Sequence, residues 1–182
     1  GDYTKVYLMD KVGAPQSEIR IGYVSNMTYD ATGEYFKTSL MNYSLGGAFN
    51  SRINLNLRED KGWTYGARSG FSGNDRGSQF TASAGIKASA TDSAVVEFIK
   101  EIKGFQEDGI TKDELNFMRN SIGQRDARRY ETPFQKAGFL GNIIRYDLDG
   151  SYVDKQADII QNITREEINA LAKKYLNTEN TF

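Results

Sequence analysis

Apolar and polar positions along this chain follow two different periods, and the change from one to the other sets its organisation. Residues 5–10, with Val6 and Leu8 spaced by two, predict a short first strand, and Lys11-Val12-Gly13-Ala14-Pro15 predicts the turn after it. Over residues 17–24, Ile19, Ile21 and Tyr23 alternate with Glu18 and Arg20, the pattern of a half-buried strand. From Asp30 the period lengthens. Tyr35, Phe36, Leu40 and Tyr43 recur every three or four residues, which predicts a helix broken at Gly46-Gly47. Ser51 can cap a second short helix reaching Asp60, with Ile53 and Leu57 as its i, i+4 apolar pair. Residues 62–71 and 79–87 predict two further strands. In the second of these Phe80, Ala82, Ala84 and Ile86 alternate with Thr81, Ser83 and Gly85, and Gly73-Asn74-Asp75-Arg76-Gly77 predicts a hairpin loop between them.

The rest of the chain reads as helix. Ala94, Val95, Phe98, Ile99, Ile102 and Phe105 trace a stripe that stops at Asp108-Gly109. Thr111-Lys112-Asp113-Glu114 is a capping box leading into Leu115, Met118 and Ile122, and Thr164-Arg165-Glu166-Glu167 is a second, leading into Ile168, Leu171, Ala172 and Tyr175. Between them Pro133 marks a helix start, and residues 152–160 predict another helix. Arg125, Arg128, Arg129 and Tyr130 form a basic helix end, most simply a solvated face. Strands first and helices later predict an α+β, two-layer fold with a mainly antiparallel sheet and helices packed on one face. No repeat or linker divides residues 1–182, which are read as one domain. The chain opens on Gly1-Asp2-Tyr3 and stops at Asn180-Thr181-Phe182 just past a helix, which predicts a piece of a longer polypeptide with its final strand cut short.

Composition narrows the chemistry. Histidine and cysteine are both absent, so no imidazole base, Ser-His pair, disulfide or His- or Cys-ligated metal site can be built from this chain. An all-carboxylate cation site stays open in principle, but no Asp-rich calcium loop is present. Twenty-three basic residues against 24 acidic ones leave a net charge of −1, which argues against a nucleic-acid partner, an RNA-binding α+β module included. No apolar run is long enough to cross a membrane, and no signal-like segment is present.

The densest segment is residues 45–71, LGGAFNSRINLNLREDKGWTYGARSGF. Gly46-Gly47 permits a close chain reversal. Asn54 and Arg58 are i, i+4 neighbours flanking the Ile53/Leu57 stripe, Gly62 ends the helical block, and Trp63, Tyr65, Ala67 and Ser69 are expected on one strand face. An arginine at a helix end and a tyrosine just inside the next strand can converge on one surface, where a guanidinium fork suits a carbonyl or carboxylate and a phenol can donate to an oxyanion. Spacing alone leaves two readings open. Tyr65 can equally be an ordinary strand aromatic and Arg58 a partner of Glu59, Asp60 or a neighbouring helix, while Trp63 and Phe71 fit wall or core better than specific recognition.

The same segment resembles the hallmark of the second, catalytically silent half-domain of pitrilysin/insulinase-type zinc metallopeptidases, close to the processing-peptidase-like bacterial members. The residues that carry the resemblance are Leu45-Gly46-Gly47, Phe49, Ser51-Arg52-Ile53-Asn54, Leu57-Arg58-Glu59, Gly62 and Tyr65, supported at the flanks by Gly13-Ala14-Pro15-Gln16 and by Thr111-Lys112-Asp113-Glu114-Leu115. The resemblance implies that two homologous halves close around a peptide chamber, and that a zinc-binding partner half, in the same chain or another subunit, supplies the metal through an inverted H-x-x-E-H motif. This chain lacks that motif. It is therefore expected to hold no metal and to be no enzyme alone. Carried over by the resemblance, Tyr65 donates to the scissile carbonyl oxygen and Arg58 holds the substrate backbone, with Asn54, Gly62 and Trp63 as further substrate contacts. The implied partners are the zinc-binding half and a peptide, and the implied location is the bacterial periplasm or cell envelope. The alternative within the same family is an inactive scaffold or assembly subunit.

Overall fold

Three antiparallel strands form the floor of the molecule, and a layer of helices covers one side of it. The computed structural model describes residues 3–126 and 132–179. β1 (Gln16–Ser25), β2 (Ala67–Asn74) and β3 (Gly77–Lys87) are ordered β1-β3-β2. The β2–β3 connection is a tight hairpin closed by Asn74 and Gly77, in which the Arg76 amide donates to the Asn74 side chain at 2.8 Å. The chain returns from β1 to β2 through α1 (Glu34–Asn42), a wide π-helical turn (Tyr43–Gly47), the single turn α2 (Arg52–Asn54) and a second π-helical turn (Leu55–Asp60). After β3 come α3 (Thr91–Asp108), α4 (Lys112–Asp126), α5 (Pro133–Tyr146), α6 (Tyr152–Asn162) and α7 (Arg165–Tyr175).

The period-2 alternation does what it predicts. Ile19, Ile21 and Tyr23 of β1 and Phe80, Ala82, Ala84 and Ile86 of β3 all face inward and are buried. Against them pack Leu40 and Met41 of α1, Ala94, Phe98, Ile102 and Phe105 of α3, and Ile168, Leu171 and Ala172 of α7. Phe80 stacks on Tyr23 at 5.2 Å and tilts against Phe71 at 5.0 Å. Burying a side chain of this size stabilises the fold by about 1.5–3 kcal/mol. Burial pushes the Tyr23 phenol well above its ordinary pKa, and its hydroxyl, donating to the Tyr175 carbonyl at 2.5 Å, ties the sheet to α7. Both capping boxes form: Thr111 with Glu114 and Thr164 with Glu167. A third, Thr132 with Gln135, starts α5 at Pro133.

Four expectations are corrected. Residues 5–10 form no strand. Val6, Leu8 and Met9 stand exposed, and the segment is tethered by the Thr4 hydroxyl donating to the Glu179 carbonyl at 2.7 Å. Residues 62–66 are loop, because their hydrogen bonds go to Leu57, Lys87 and Gly85 outside any ladder, so β2 begins only at Ala67. Ser51 stands at the start of α2 without a side-chain capping bond. The hairpin loop is shorter than expected, since Gly73, Asn74 and Gly77 belong to the strands. The final strand expected at residues 180–182 and the Arg128, Arg129 and Tyr130 cluster lie outside the described residues.

Candidate functional site

Residues 45–71 fold as a compact platform, held from below by side chains the motif itself provides. Gly46 lies so close to β2 that a β-carbon there would sit 2.2 Å from the Ser69 hydroxyl and 2.5 Å from the Ser69 amide nitrogen. The Asn42 side chain donates to the Ser69 carbonyl at 2.8 Å and accepts from the Ser69 hydroxyl at 2.6 Å. Glycine is therefore needed for close approach of the turn to the strand, beyond breaking a helix. Arg52 fixes the other side. Its guanidinium forks onto Glu114 at 2.6 and 2.7 Å, donates to the Gly109 carbonyl at 2.8 Å and covers the Phe105 ring at 4.6 Å. Burial works to raise the Glu114 pKa, but the hydrogen bonds from Arg52 and from the Thr111 amide prevail and hold it below the ordinary carboxylate value.

Asn54 is 3% exposed and both ends of its amide are committed: the nitrogen donates to the Phe49 carbonyl at 2.7 Å, and the oxygen accepts from the Ala67 amide at 2.9 Å. It shapes the wall of a groove of about 490 Å³, also lined by Gly46, Phe49, Gly66, Arg68 and Gly85. Arg58 stands on the second π-helical turn, its guanidinium 4.4 Å over the Phe49 ring and paired with the neighbouring Glu59. Phe49 lines the groove and Arg58 does not, so the contact with Phe49 is what links Arg58 to it. Gly62 reverses the chain with φ +62, the left-handed region that favours glycine. Trp63 packs partly against the core with Lys61 5.8 Å from its ring, its amide donates to the Leu57 carbonyl at 3.0 Å, and its carbonyl accepts from Lys87 at 2.9 Å. The Thr64 hydroxyl donates to the Gly85 carbonyl at 2.8 Å and accepts from the Gly66 amide at 3.1 Å.

Tyr65 sits between these anchors with its side chain 91% exposed. The backbone beneath it is fixed on both sides, so the phenol is presented from a rigid support rather than from a slack loop. It leads directly into Gly66, at the groove. Of the site residues expected from sequence, only Asn54 lines the groove; Arg58 reaches it through Phe49 and Tyr65 is the neighbour of Gly66, while Gly62 makes the turn and Trp63 anchors the loop. Arg52 and Phe49, which hold and support the others, were quoted in the motif without a role. Their partners are remote in sequence or depend on the fold.

Zinc does not suit this chain's own donors. It offers no imidazole or thiolate, and among the described residues no three acidic side chains converge. Also among the described residues, no helix is long and apolar enough to cross a membrane.

Comparison with known proteins places the fold. A peptidase M16 inactive-domain family model matches residues 3–122, more than half of the chain. No curated protein sequence matches it. Among solved structures, the peptidase M16 inactive domain from Pseudomonas fluorescens superposes with a TM-score of 0.81 at 24% identity, covering 92% of this chain and 39% of that one. A protease from Helicobacter pylori gives a TM-score of 0.79 at 18% identity, over 99% and 43%. The periplasmic protease PqqL from Escherichia coli gives 0.77 at 18% identity, over 99% and 20%. The chain thus spans less than half the length of these structures. Its fold and its matched segment agree, and the chain belongs to the inactive-domain family of the M16 (pitrilysin/insulinase-type) metallopeptidases.

Proposed function

We propose that this chain is the substrate-contacting half of a zinc-dependent peptidase, closing one wall of a peptide chamber and lending Tyr65 and Arg58 to an active site whose metal, ligands and general base belong to a zinc-binding partner half. In this role the Tyr65 phenol donates a hydrogen bond to the scissile carbonyl oxygen as it gains negative charge. Because the donor is already in place, it acts on the transition state more than on the bound substrate. Arg58 exchanges Glu59 for a substrate backbone carbonyl, with Phe49 keeping the guanidinium plane oriented. Asn54, Gly62 and Trp63 contribute the shape of the groove in which the peptide lies.

The observation that supports this reading is the contrast at Tyr65: a fully presented phenol on a loop whose backbone is pinned on both sides, beside a groove. In the complete two-half enzyme, Tyr65→Phe should lower turnover about 10²-fold with zinc content intact. Equal turnover by the variant removes the assigned role. One observation favours a second reading, an assembly subunit without peptidase activity: Arg58 already has a carboxylate partner in Glu59. A complete protein that binds zinc and cleaves no peptide in a diverse library would establish that alternative.

A further inference from the structure

We infer that the uncovered face of the sheet selects acidic peptide segments, with Arg68 and Arg20 as its cationic pair; as a statement of substrate class, this rests on the peptide-chamber reading above. The strand register sets the geometry. Arg20 of β1 pairs with Ser83 of β3, and Ser83 pairs in turn with Arg68 of β2, so the three residues form one row across the sheet. Side chains in register share a face, and here it is the face opposite the helices, since Ile19, Ile21, Ala67, Ser69, Ala82 and Ala84 occupy the inner one. At the usual strand spacing the two arginine α-carbons stand about 10 Å apart. Between them rises only Ser83. The next row on one side is Gly22, Thr81 and Gly70, and on the other Glu18 faces Gly85. The floor between the guanidinium groups is therefore built of small residues, with room for an incoming chain.

Charge points the same way. The three strands carry four charged side chains, Glu18, Arg20, Arg68 and Lys87, and all four stand on this outer face. The face is thus cationic on a chain whose net charge is −1. Arg20 meets Glu18 at 3.8 Å, a contact between two well-exposed side chains that solvent screens heavily. Among the described residues no carboxylate lies within ion-pair distance of Arg68; Glu18 lines the groove with it, together with Phe49, Gly66 and Gly85, but its contact is with Arg20. An arginine fork with no carboxylate of its own suits a bidentate carboxylate from a ligand. Arg68 follows Tyr65 by three residues, so their α-carbons are at most about 11 Å apart. Tyr65 and Arg68 are therefore close enough along the chain to contact one and the same bound peptide.

Two measurements test this. Fluorescence anisotropy of this chain with labelled, matched peptides carrying Glu or Gln should show the Glu peptide bound about tenfold more tightly at low salt, with the gap closing as salt rises. Arg68→Glu should abolish or invert that preference, Arg20→Gln should reduce it, and thermal melts should confirm that both variants fold. Equal binding of the two peptides by the wild-type chain, or an unchanged preference in Arg68→Glu, overturns the inference. An RNA oligonucleotide bound as tightly as the Glu peptide overturns the assignment to peptide. In the complete enzyme, with Glu, Gln or Lys scanned through successive positions around the cleaved bond, kcat/KM should fall in that order at the position Arg68 reaches, and should level or reverse there with Arg68→Glu. Binding is read apart from cleavage. A zinc-loaded enzyme that cleaves nothing while this chain binds acidic peptides through Arg68 would sink the proposed peptidase role alone.

Discussion

Arg52 and Arg58 stand six residues apart in one segment and are held in opposite ways. Arg52 is forked onto Glu114, bonded to the Gly109 carbonyl and stacked on Phe105, with most of its side chain shielded from water. Arg58 has a single neighbouring carboxylate and an aromatic support at the surface. The first arrangement is structural and the second can be exchanged. Removing one partner of a charged hydrogen-bonded pair with little solvent access leaves the other short of partners. Glu114→Gln should therefore cost roughly 1.5–3 kcal/mol at neutral pH, read from urea denaturation. The sign of its pH dependence follows from the depressed Glu114 pKa. A carboxyl whose folded pKa lies below its unfolded value stabilises the fold above that value, and the benefit is lost as pH falls through the folded pKa. The gap between wild type and Glu114→Gln should accordingly be full at neutral pH and shrink as pH drops below about 4.5, the ordinary value. Glu34, Glu97 and Glu167 are depressed as well, so only the difference between the two proteins isolates Glu114. A gap that stays constant into strong acid would contradict the ion-pair account.

Among the elements, the two π-helical turns and the loop after them carry the proposed site, and they were the least legible part of the chain. The alternation in β3, the stripe of α3 and both capping boxes were readable because each is settled by residues a few positions apart. By contrast, Gly62, Trp63 and Tyr65 looked like the start of a strand because their composition suits one. The left-handed Gly62 and the bonds from Trp63 and Thr64 to Leu57, Lys87 and Gly85 decide otherwise, and those are tertiary. The roles proposed for Arg58 and Tyr65 come only from a contiguous motif. The row of Arg20, Ser83 and Arg68 was not legible at all, since it exists only once the register is set. A glycine pair tests the same distinction. Gly46→Ala drives a β-carbon into the Ser69 backbone, where no rotamer change can relieve it, and should cost about 1–3 kcal/mol or more. Gly138→Ala, in the body of α5 with no atom within 4 Å of the added carbon, should stabilise by roughly 0.5–1 kcal/mol. Thermal melts of the two variants should shift in opposite directions. A stable Gly46→Ala protein would show that the turn can lift away from β2.

At the scale of the whole molecule, the core is one-sided, and its apolar surface is not all inside. The helix layer seals the inner face of the sheet, but α5 contributes no buried residue to it. That helix rides on the molecule through Phe139, stacked on Tyr152 at 5.6 Å, and through Tyr146, stacked on Tyr29 at 3.9 Å. Phe134, Leu140 and Ile144 are 87%, 55% and 82% exposed, and at 3.6 residues per turn they fall within about a third of the helix circumference. An apolar stripe of this kind contributes little to the stability of the chain that carries it and favours association. Replacing Phe134 and Ile144 together by serine should therefore leave the thermal midpoint nearly unchanged, within about 0.5 kcal/mol per site. The same double variant should scatter less light at high concentration than the wild-type chain. If the proposed pairing with a zinc-binding half uses this stripe, the variant should also bind that half more weakly by calorimetry while retaining the Arg68-dependent affinity for acidic peptides. A large loss of thermal stability would instead mean that α5 packs into the core of its own domain, and the stripe would then have no partner to explain.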